Sequence, residues 1–211
     1  VTNPPLLPFI GLLLKWIKGI KLVTLIHDLY PEVLVASNLW KPNSLKVKII
    51  KQLNRLLYQQ STRIITLGRD MNQRIYGYLN EQYKERVTMI SHWADLDLIC
   101  PYSKEENLLL KQLNLTDKFI ILYSGNIGRT HDIESIVEVA TKLQTYPNYH
   151  FIIAGTGYKK QWLAQTIKTH QLTNITLLDP VPRQDLNILL NACDVAIISL
   201  ISNMEGVSVP S

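Results

Sequence analysis

Two glycine-rich segments in the second half of the 211-residue chain have the residue types that bind an anion. They read SGNIGR at residues 124–129 and AGTGYKK at residues 154–160. Glycine permits positive φ and close approach of the backbone to a ligand, and N–H groups at a helix start favour negative charge. A nearby Arg129 or Lys159 would add a full positive charge, so a diphosphate would suit both segments. The candidate ligand-binding residues are Gly125, Asn126, Gly128, Arg129, Gly155 and Gly157.

Neither segment identifies its ligand by itself. The first lacks the GxxxxGK[ST] spacing of a nucleotide-triphosphate loop and the GxGxxG spacing of a dinucleotide site. Each segment, taken singly, is also compatible with a plain tight turn between a strand and a helix. The order of the surrounding elements must decide between these readings.

Strand and helix patterns alternate along the chain. The predicted strands are residues 21–26, 63–67, 86–90, 119–123, 150–154, 174–178 and 194–200. The predicted helices are residues 44–60, 70–79, 133–143, 159–169 and 184–192, with a further short one at 105–113. Such alternation predicts parallel sheets with helices on both faces, and right-handed crossovers make the fold doubly wound.

We therefore predict an α/β fold with two Rossmann-like halves. The first half is placed at residues 1–99, a linker at 100–117 and the second half at 118–211. In such sheets ligands bind outside the carboxyl ends of the strands. Both glycine segments directly follow a predicted strand, so we expect them side by side at one edge of the second sheet, facing a cleft.

The amino-acid composition limits the classes of partner that the chain is expected to bind. The chain has 22 Lys and Arg against 17 Asp and Glu, a net charge of +5, which suggests phosphorylated ligands, nucleic acid or lipid headgroups. A mildly basic surface without a dedicated partner would give the same net charge. No nucleic-acid reading motif is present, so nucleic acid is not expected. Cys100 and Cys193 lack metal-ligand spacing, which favours a reduced, cytoplasmic setting.

The chain as a whole resembles the GT-B glycosyltransferases of family 4, most closely the branch that builds bacterial capsule, exopolysaccharide or O-antigen repeats. The motifs that carry the resemblance are, in order, TNPPLLPFIG, HDLYPE, ITLGRDM, ISHWADLD, LYSGNIG, IIAGTGY, VPRQDL, CDVAIISL and EGVSVPS. The resemblance implies a nucleotide-diphosphate sugar held mainly by the second half and a lipid-linked or other saccharide acceptor entering from the first. It also implies a retaining transfer that needs neither a metal ion nor a cofactor.

The same resemblance assigns roles to particular residues. His27 stands where the family often has a histidine that faces the transferred sugar, and retaining transfer needs such positioning more than a strong base. A histidine that caps a strand end and bonds to the backbone is the alternative interpretation of His27. The further donor-binding residues implied by the VPRQDL and EGVSVPS motifs are Val181, Glu205, Gly206 and Ser208.

This sequence departs from the family pattern at several positions. Many relatives carry Arg after the first glycine of the turn and Lys five residues later, where this chain has Asn126 and His131. Arg129 and the backbone amides of residues 128–130 are the candidates that replace this charge. In ISHWADLD, Ser91 and His92 stand where relatives often show Pro-Asn.

The resemblance further suggests an internal portion of a longer enzyme, with strands of the first sheet and one acidic residue of the donor site lying outside it. Such a portion alone is not expected to be active, and a sheet edge without its partner strands would expose apolar surface.

A membrane contact is suggested by FIGLLLKWIKGIK at residues 9–21, where Trp16 and three lysines accompany an apolar stretch. An interfacial helix of this kind would lie on anionic lipid at the inner face of the plasma membrane. A helix packed on the sheet with solvated lysines is the alternative. No run reaches the roughly 18 apolar residues that a spanning helix needs.

Two further readings of function stay open. A nucleotide-sugar epimerase shares the architecture and would interconvert sugars without an acceptor. A non-catalytic binding module or remnant would bind nucleotide, or nothing, without transfer.

Overall fold

A computed structural model describes residues 4–209, which form two compact units. Among these residues the first unit comprises 4–93 and 201–209, and the second comprises 94–200. Thr2 and Asn3 of the TNPPLLPFIG motif lie outside the described residues, as do Pro210 and Ser211 of EGVSVPS.

These unit boundaries differ from the predicted domains in two places. Residues 100–117, predicted as a linker, pack within the second unit, where the amide of Cys100 donates to Asn187 Oδ1 at 3.0 Å and Asn107 Nδ2 donates to the Ile188 carbonyl at 2.8 Å. Residues 201–209, predicted in the second half, belong to the first unit. The amide of Leu29 donates to the Val207 carbonyl there at 2.8 Å.

The first unit is built on a three-stranded parallel sheet of order β1-β2-β3. In chain order its elements are α1 (Leu7–Lys18), β1 (Val23–Leu25), α2 (Glu32–Ala36), α3 (Leu45–Gln60), β2 (Arg63–Thr66), α4 (Arg69–Tyr76), a 3-10 turn (Glu81–Arg86) and β3 (Val87–Met89). The sheet confirms the alternation of strands and helices predicted for this half. None of the helices within residues 4–209 is long and apolar enough to cross a bilayer.

The helix α3 buries only part of its apolar side chains. Its buried residues are Val47, Asn54, Leu57 and Tyr58. Four other apolar residues of this helix are at least 39% exposed, namely Leu45, Ile49, Leu53 and Leu56. Because α1 lies beside α3 and exposes apolar residues of its own, the two helices present a shared apolar surface.

The second unit is built on a four-stranded parallel sheet of order β6-β5-β4-β7. Its elements are a 3-10 turn (Lys104–Glu106), α5 (Leu108–Leu113), β4 (Phe119–Asn126), α6 (Ile133–Leu143), β5 (Tyr149–Thr156), α7 (Lys160–Thr169), β6 (Ile175–Leu178), a 3-10 turn (Arg183–Asp185), α8 (Leu186–Leu190) and β7 (Val195–Ala196). The strands β4 and β5 are longer than predicted, and β7 is much shorter than the predicted 194–200.

Helices cover both faces of this second sheet. One face packs α6 and α7 against Phe151 and Ile153, and the other packs α5 and α8 against Ile120 and Ile152. The two cores account for the near-continuous apolar runs of β4 and β5, because a parallel strand buried on both faces needs apolar residues on both sides. The predicted α/β architecture with two parallel sheets is therefore confirmed.

Candidate functional site

The two glycine segments lie side by side, as predicted, because they end adjacent parallel strands. In the register of β4 and β5, Gly125 stands opposite Gly155 and Asn126 opposite Thr156. Beyond the strands, the amide of Ile127 donates to the Thr156 carbonyl at 2.8 Å, and the amide of Lys159 donates to the Ile127 carbonyl at 2.9 Å. Backbone hydrogen bonds thus join the two segments at the carboxyl edge of the sheet.

Two of the glycines are required by close backbone approach. Gly155 has φ +155°, and a Cβ added there would lie 1.9 Å from the carbonyl oxygen of Gly125. Gly157 has φ +150°, and an added Cβ would lie 2.6 Å from the carbonyl of Ile127. Any side chain at these positions would both strain the backbone and displace the neighbouring segment.

A pocket of about 350 Å³ opens where these segments meet the end of β6. Residues 124–126 and 154–156 form two of its walls, and Pro180, Val181 and Leu186 form the third. Its volume lies in the range of about 300–1,000 Å³ that is typical of small-molecule sites. The pocket brings together four of the predicted residues, Gly125, Asn126, Gly155 and Val181.

Positive charge lies on the loops that follow the two segments. The Arg129 guanidinium lies 3.2 Å from the centre of the Tyr158 ring, a cation–π contact. In a stacked pair the flat face of the guanidinium contacts the ring, so the N–H groups at the edge of the guanidinium can still donate to an anion. Lys159 is engaged differently, because its ammonium donates to the His131 carbonyl at 2.6 Å and to Glu134 Oε2 at 2.7 Å.

His131 is a half-buried histidine in this cluster. Burial lowers the pKa of its imidazole, and the positive charge of Lys159 lowers that pKa further. The ring therefore stays neutral at neutral pH, and Lys159 carries the positive charge at this place in the fold. Within residues 4–209, no group of three or more His, Cys, Asp and Glu side chains is arranged to hold a metal ion.

His27 lies in the first unit, directly after β1. Its ring centre is 5.8 Å from that of His92, with the two planes inclined by 30°. His92 was not among the predicted site residues, although the ISHWADLD segment that contains it had been singled out as a departure from the family pattern. The neighbouring Asp28 forms an antiparallel bridge with Ser208 and accepts a hydrogen bond from the Ser208 hydroxyl.

The structure groups Glu205, Gly206 and Ser208 with the first unit instead of the pocket that contains the glycine segments. Gly206 has φ +66°, and a Cβ added there would lie 2.5 Å from the carbonyl oxygen of Asp70. The carbonyl of Glu205 accepts a hydrogen bond from Arg74 Nε at 3.1 Å. Position 206 needs a glycine because the backbone of Asp70 packs directly against it. Donor binding by Glu205, Gly206 and Ser208 stays a prediction.

Comparisons with known proteins match both units. Residues 105–210, half of the 211-residue chain, match the family described as glycosyl transferases group 1. A Pseudomonas aeruginosa protein with the curated name "Probable glycosyltransferase WbjE" is 30% identical over 214 residues, an alignment that covers 100% of this chain and 52% of that protein.

Solved structures share the fold. The crystal structure of Anabaena Alr3699/HepE in complex with UDP-glucose aligns with a TM-score of 0.72 at 16% identity, covering 92% of this chain and 50% of that one. The crystal structure of WaaG, described as a glycosyltransferase involved in lipopolysaccharide biosynthesis, aligns with a TM-score of 0.66 at 14% identity, covering 94% and 58%. The chain thus spans about half the length of these relatives.

The close approach of the glycine segments generates a stability prediction. We expect Gly155→Ala to lower the free energy of unfolding by about 2 kcal/mol or more, because it combines backbone strain with a clash against the Gly125 carbonyl. Gly125→Ala is the matched control, since Gly125 has φ +156° and no atom within 4 Å of an added Cβ. It should cost only the strain, about 1 kcal/mol. Equal losses in urea denaturation would contradict the close-approach argument.

Proposed function

Because the chain belongs to the group 1 family of glycosyltransferases, we propose that it forms part of an enzyme that transfers a sugar from a nucleotide-diphosphate donor to a lipid-linked saccharide acceptor. The reaction serves the synthesis of a cell-surface polysaccharide and retains the anomeric configuration. The observation that carries this proposal is that both glycine segments and Val181 line one pocket at the carboxyl ends of parallel strands. Names of relatives that mention UDP-glucose and lipopolysaccharide biosynthesis support the same reaction class.

The pocket suggests how the donor binds. The apolar side chains of Val181 and Leu186 suit the flat base of a nucleotide, and the exposed backbone of residues 124–126 suits its ribose and phosphates. Arg129 then faces the diphosphate with the edge of its guanidinium, held in place by Tyr158. Side chains that are already positioned lower the cost of ordering them when the donor binds.

Departure of the nucleoside diphosphate requires stabilisation of its growing negative charge. We propose that Arg129 and backbone amides of residues 128–130 supply it, without a resident metal ion or cofactor. Lys159 is already bonded to the His131 carbonyl and paired with Glu134, so it holds the loop that carries these amides. Preorganised donors of this kind act without reorganisation during the reaction, which makes them effective at a developing anion.

The donor proposal is tested by calorimetry with UDP and GDP. Arg129→Met should weaken binding of the preferred diphosphate about tenfold or more, since hydrogen bonds to charged groups contribute about 1.5–3 kcal/mol. Binding of the corresponding free nucleoside should not change. Lys168→Met, an exposed lysine of α7, is the control. An equal loss for nucleoside and diphosphate would contradict phosphate recognition, and absence of binding to the unmodified protein would favour an inactive remnant.

Transfer itself centres on His27 in this proposal. The imidazole follows β1 at the carboxyl edge of the first sheet, next to the ring of His92 and to Asp28. Ser208 holds Asp28 through a backbone bridge and a side-chain hydrogen bond, which stabilises the loop that carries His27. A loop fixed in this way suits an imidazole that positions the sugar through a hydrogen bond. It has less need of an imidazole that acts as a base and abstracts a proton.

For His27→Ala in the full-length enzyme, we expect sugar transfer to fall on the order of 10²-fold, with nucleotide affinity and melting temperature maintained. His170→Ala, which removes an exposed imidazole from the second unit, should leave transfer unchanged. Unchanged transfer in His27→Ala would defeat the positioning role. Conversion of the donor sugar without any acceptor would indicate an epimerase instead.

Membrane attachment is part of the proposal because the acceptor is lipid-linked. The helix α1 buries Pro8 and Leu12 but exposes six large apolar side chains, Leu7, Ile10, Leu13, Leu14, Trp16 and Ile17. The exposed lysines Lys18 and Lys21 follow at its end. We propose that this face lies on anionic lipid at the inner surface of the plasma membrane, with the apolar residues among the acyl chains.

Vesicle co-sedimentation tests this attachment. The double variant Ile10→Glu/Ile17→Glu should bind phosphatidylglycerol vesicles at least about tenfold more weakly, because each apolar side chain contributes about 1.5–3 kcal/mol when buried. The control is Leu108→Glu, a leucine of α5 that is 60% exposed. Binding should also weaken in high salt and on pure phosphatidylcholine. Equal binding of both variants would show that the apolar face packs against polypeptide instead.

A further inference from the structure

Two histidine rings form a pair at the carboxyl edge of the first sheet. His27 follows β1 and His92 follows β3, and both strands pair in parallel with the central strand β2. Neighbouring strands in a sheet are about 4.8 Å apart, so β1 and β3 are separated by about 10 Å. The ring centres of His27 and His92 are only 5.8 Å apart. The two side chains therefore bring their rings closer together than the strands that carry them.

The backbone of the loop that carries His27 is anchored on both sides. Ile26 and Leu29 are fully buried. The amide of Ile26 donates to the Ile65 carbonyl at 2.9 Å, and the amide of Leu29 donates to the Val207 carbonyl at 2.8 Å. Main-chain bonds of this kind fix the position of the Cα atom of His27. The side-chain torsions are set separately, by the groups that surround the ring.

The His92 ring is one of the groups that surround the His27 imidazole. The two planes are inclined by 30°, and the distance between the ring centres is within the range of about 4.5–7 Å that is typical of paired rings. Because the His92 ring fills space beside His27, it restricts the rotamers that His27 can adopt. His92 is exposed and His27 is half-buried, so this pair restrains one side chain more than it stabilises the fold.

Restriction of the His27 rotamers has a direct consequence for transfer. An imidazole that positions a sugar must present the same nitrogen at the same place in each catalytic cycle, and a side chain already held in that orientation avoids the cost of ordering it. We propose that His92 is a positioning residue, whose ring holds the His27 imidazole in the orientation used in sugar transfer. The inference rests on the proposed function of His27 and adds a residue that acts through it.

Kinetics of the full-length enzyme test this role. The assay follows release of UDP or GDP from the best donor among UDP-glucose, UDP-N-acetylglucosamine and GDP-mannose, with a lipid extract of the producing cells as acceptor. His92→Ala should lower kcat about three- to tenfold and leave the donor KM unchanged, because a ring pair is a weak contact and His27 itself is still present. His92→Phe keeps a ring without nitrogens and should transfer at nearly the unmodified rate. Trp93→Ala, which removes a neighbouring ring that is 84% exposed, is the matched control and should have no effect.

A double-mutant cycle separates action through His27 from independent action. Once His27 is absent, loss of the ring at position 92 should have no further effect, so His27→Ala/His92→Ala should transfer at the rate of His27→Ala alone. Losses that multiply would overturn the proposal and leave the role of His27 standing. A His92→Phe variant as slow as His92→Ala would also overturn it, because the nitrogens of His92 would then act directly. Full transfer by His27→Ala would instead refute the proposed function of His27, and the role of His92 with it.

NMR of the imidazole C–H groups gives a measurement that does not depend on activity. The His27 signals, assigned by their absence from the spectrum of His27→Ala, should shift in His92→Ala and stay in place in Trp93→Ala. In His92→Phe they should still show the ring-current shift of a neighbouring ring. Melting temperatures should be maintained in all variants at position 92, because that side chain is exposed. His27 signals that do not respond to loss of the ring at position 92 would overturn the proposal.

Discussion

The close approach of Gly125 and Gly155 is the constraint on which the second unit depends. Because Gly155 has no side chain, its backbone can lie against the Gly125 carbonyl, so β4 and β5 stay paired to their last residues. The loops beyond them join through the amides of Ile127 and Lys159. Residues 124–126 and 154–156 consequently form two walls of one pocket, with Val181 and Leu186 closing one side. A ligand gains most from groups that need no reorganisation, and the paired strand ends hold these walls in place.

The two positively charged side chains near that pocket, Lys159 and Arg129, are held in different ways. Lys159 is neutralised by Glu134 and bound to the His131 carbonyl, which makes it a structural cation of the loop. Arg129 instead rests on the uncharged ring of Tyr158. Cation–π stacking orients a guanidinium without cancelling its charge, whereas an ion pair reduces it. Position 131 holds a half-buried histidine whose pKa is lowered by burial and by the charge of Lys159.

The first unit also depends on a close approach between two backbone segments. Gly206 allows residues 204–208 to pack on Asp70, and Ser208 then reaches Asp28 beside His27. The same segment closes a cavity that contains Glu32, Lys51 and Arg74. One short stretch of chain therefore supports the His27 loop and shapes a polar cavity.

Sequence patterns were enough to predict the α/β class, the alternation of strands and helices and the place of the candidate pocket, because apolar runs of strand length that end in glycine segments are typical of parallel strands with ligand-binding loops at their carboxyl ends. Local patterns could not show that Cys100 and Asn107 bind α8, that residues 201–209 belong to the first unit, or that four large apolar residues of α3 stay exposed. Those outcomes depend on contacts between residues far apart in the chain, such as Cys100 with Asn187 and Leu29 with Val207. They become visible only in the folded chain, since periodicity shows which face of a helix is apolar and not which surface is available to cover it.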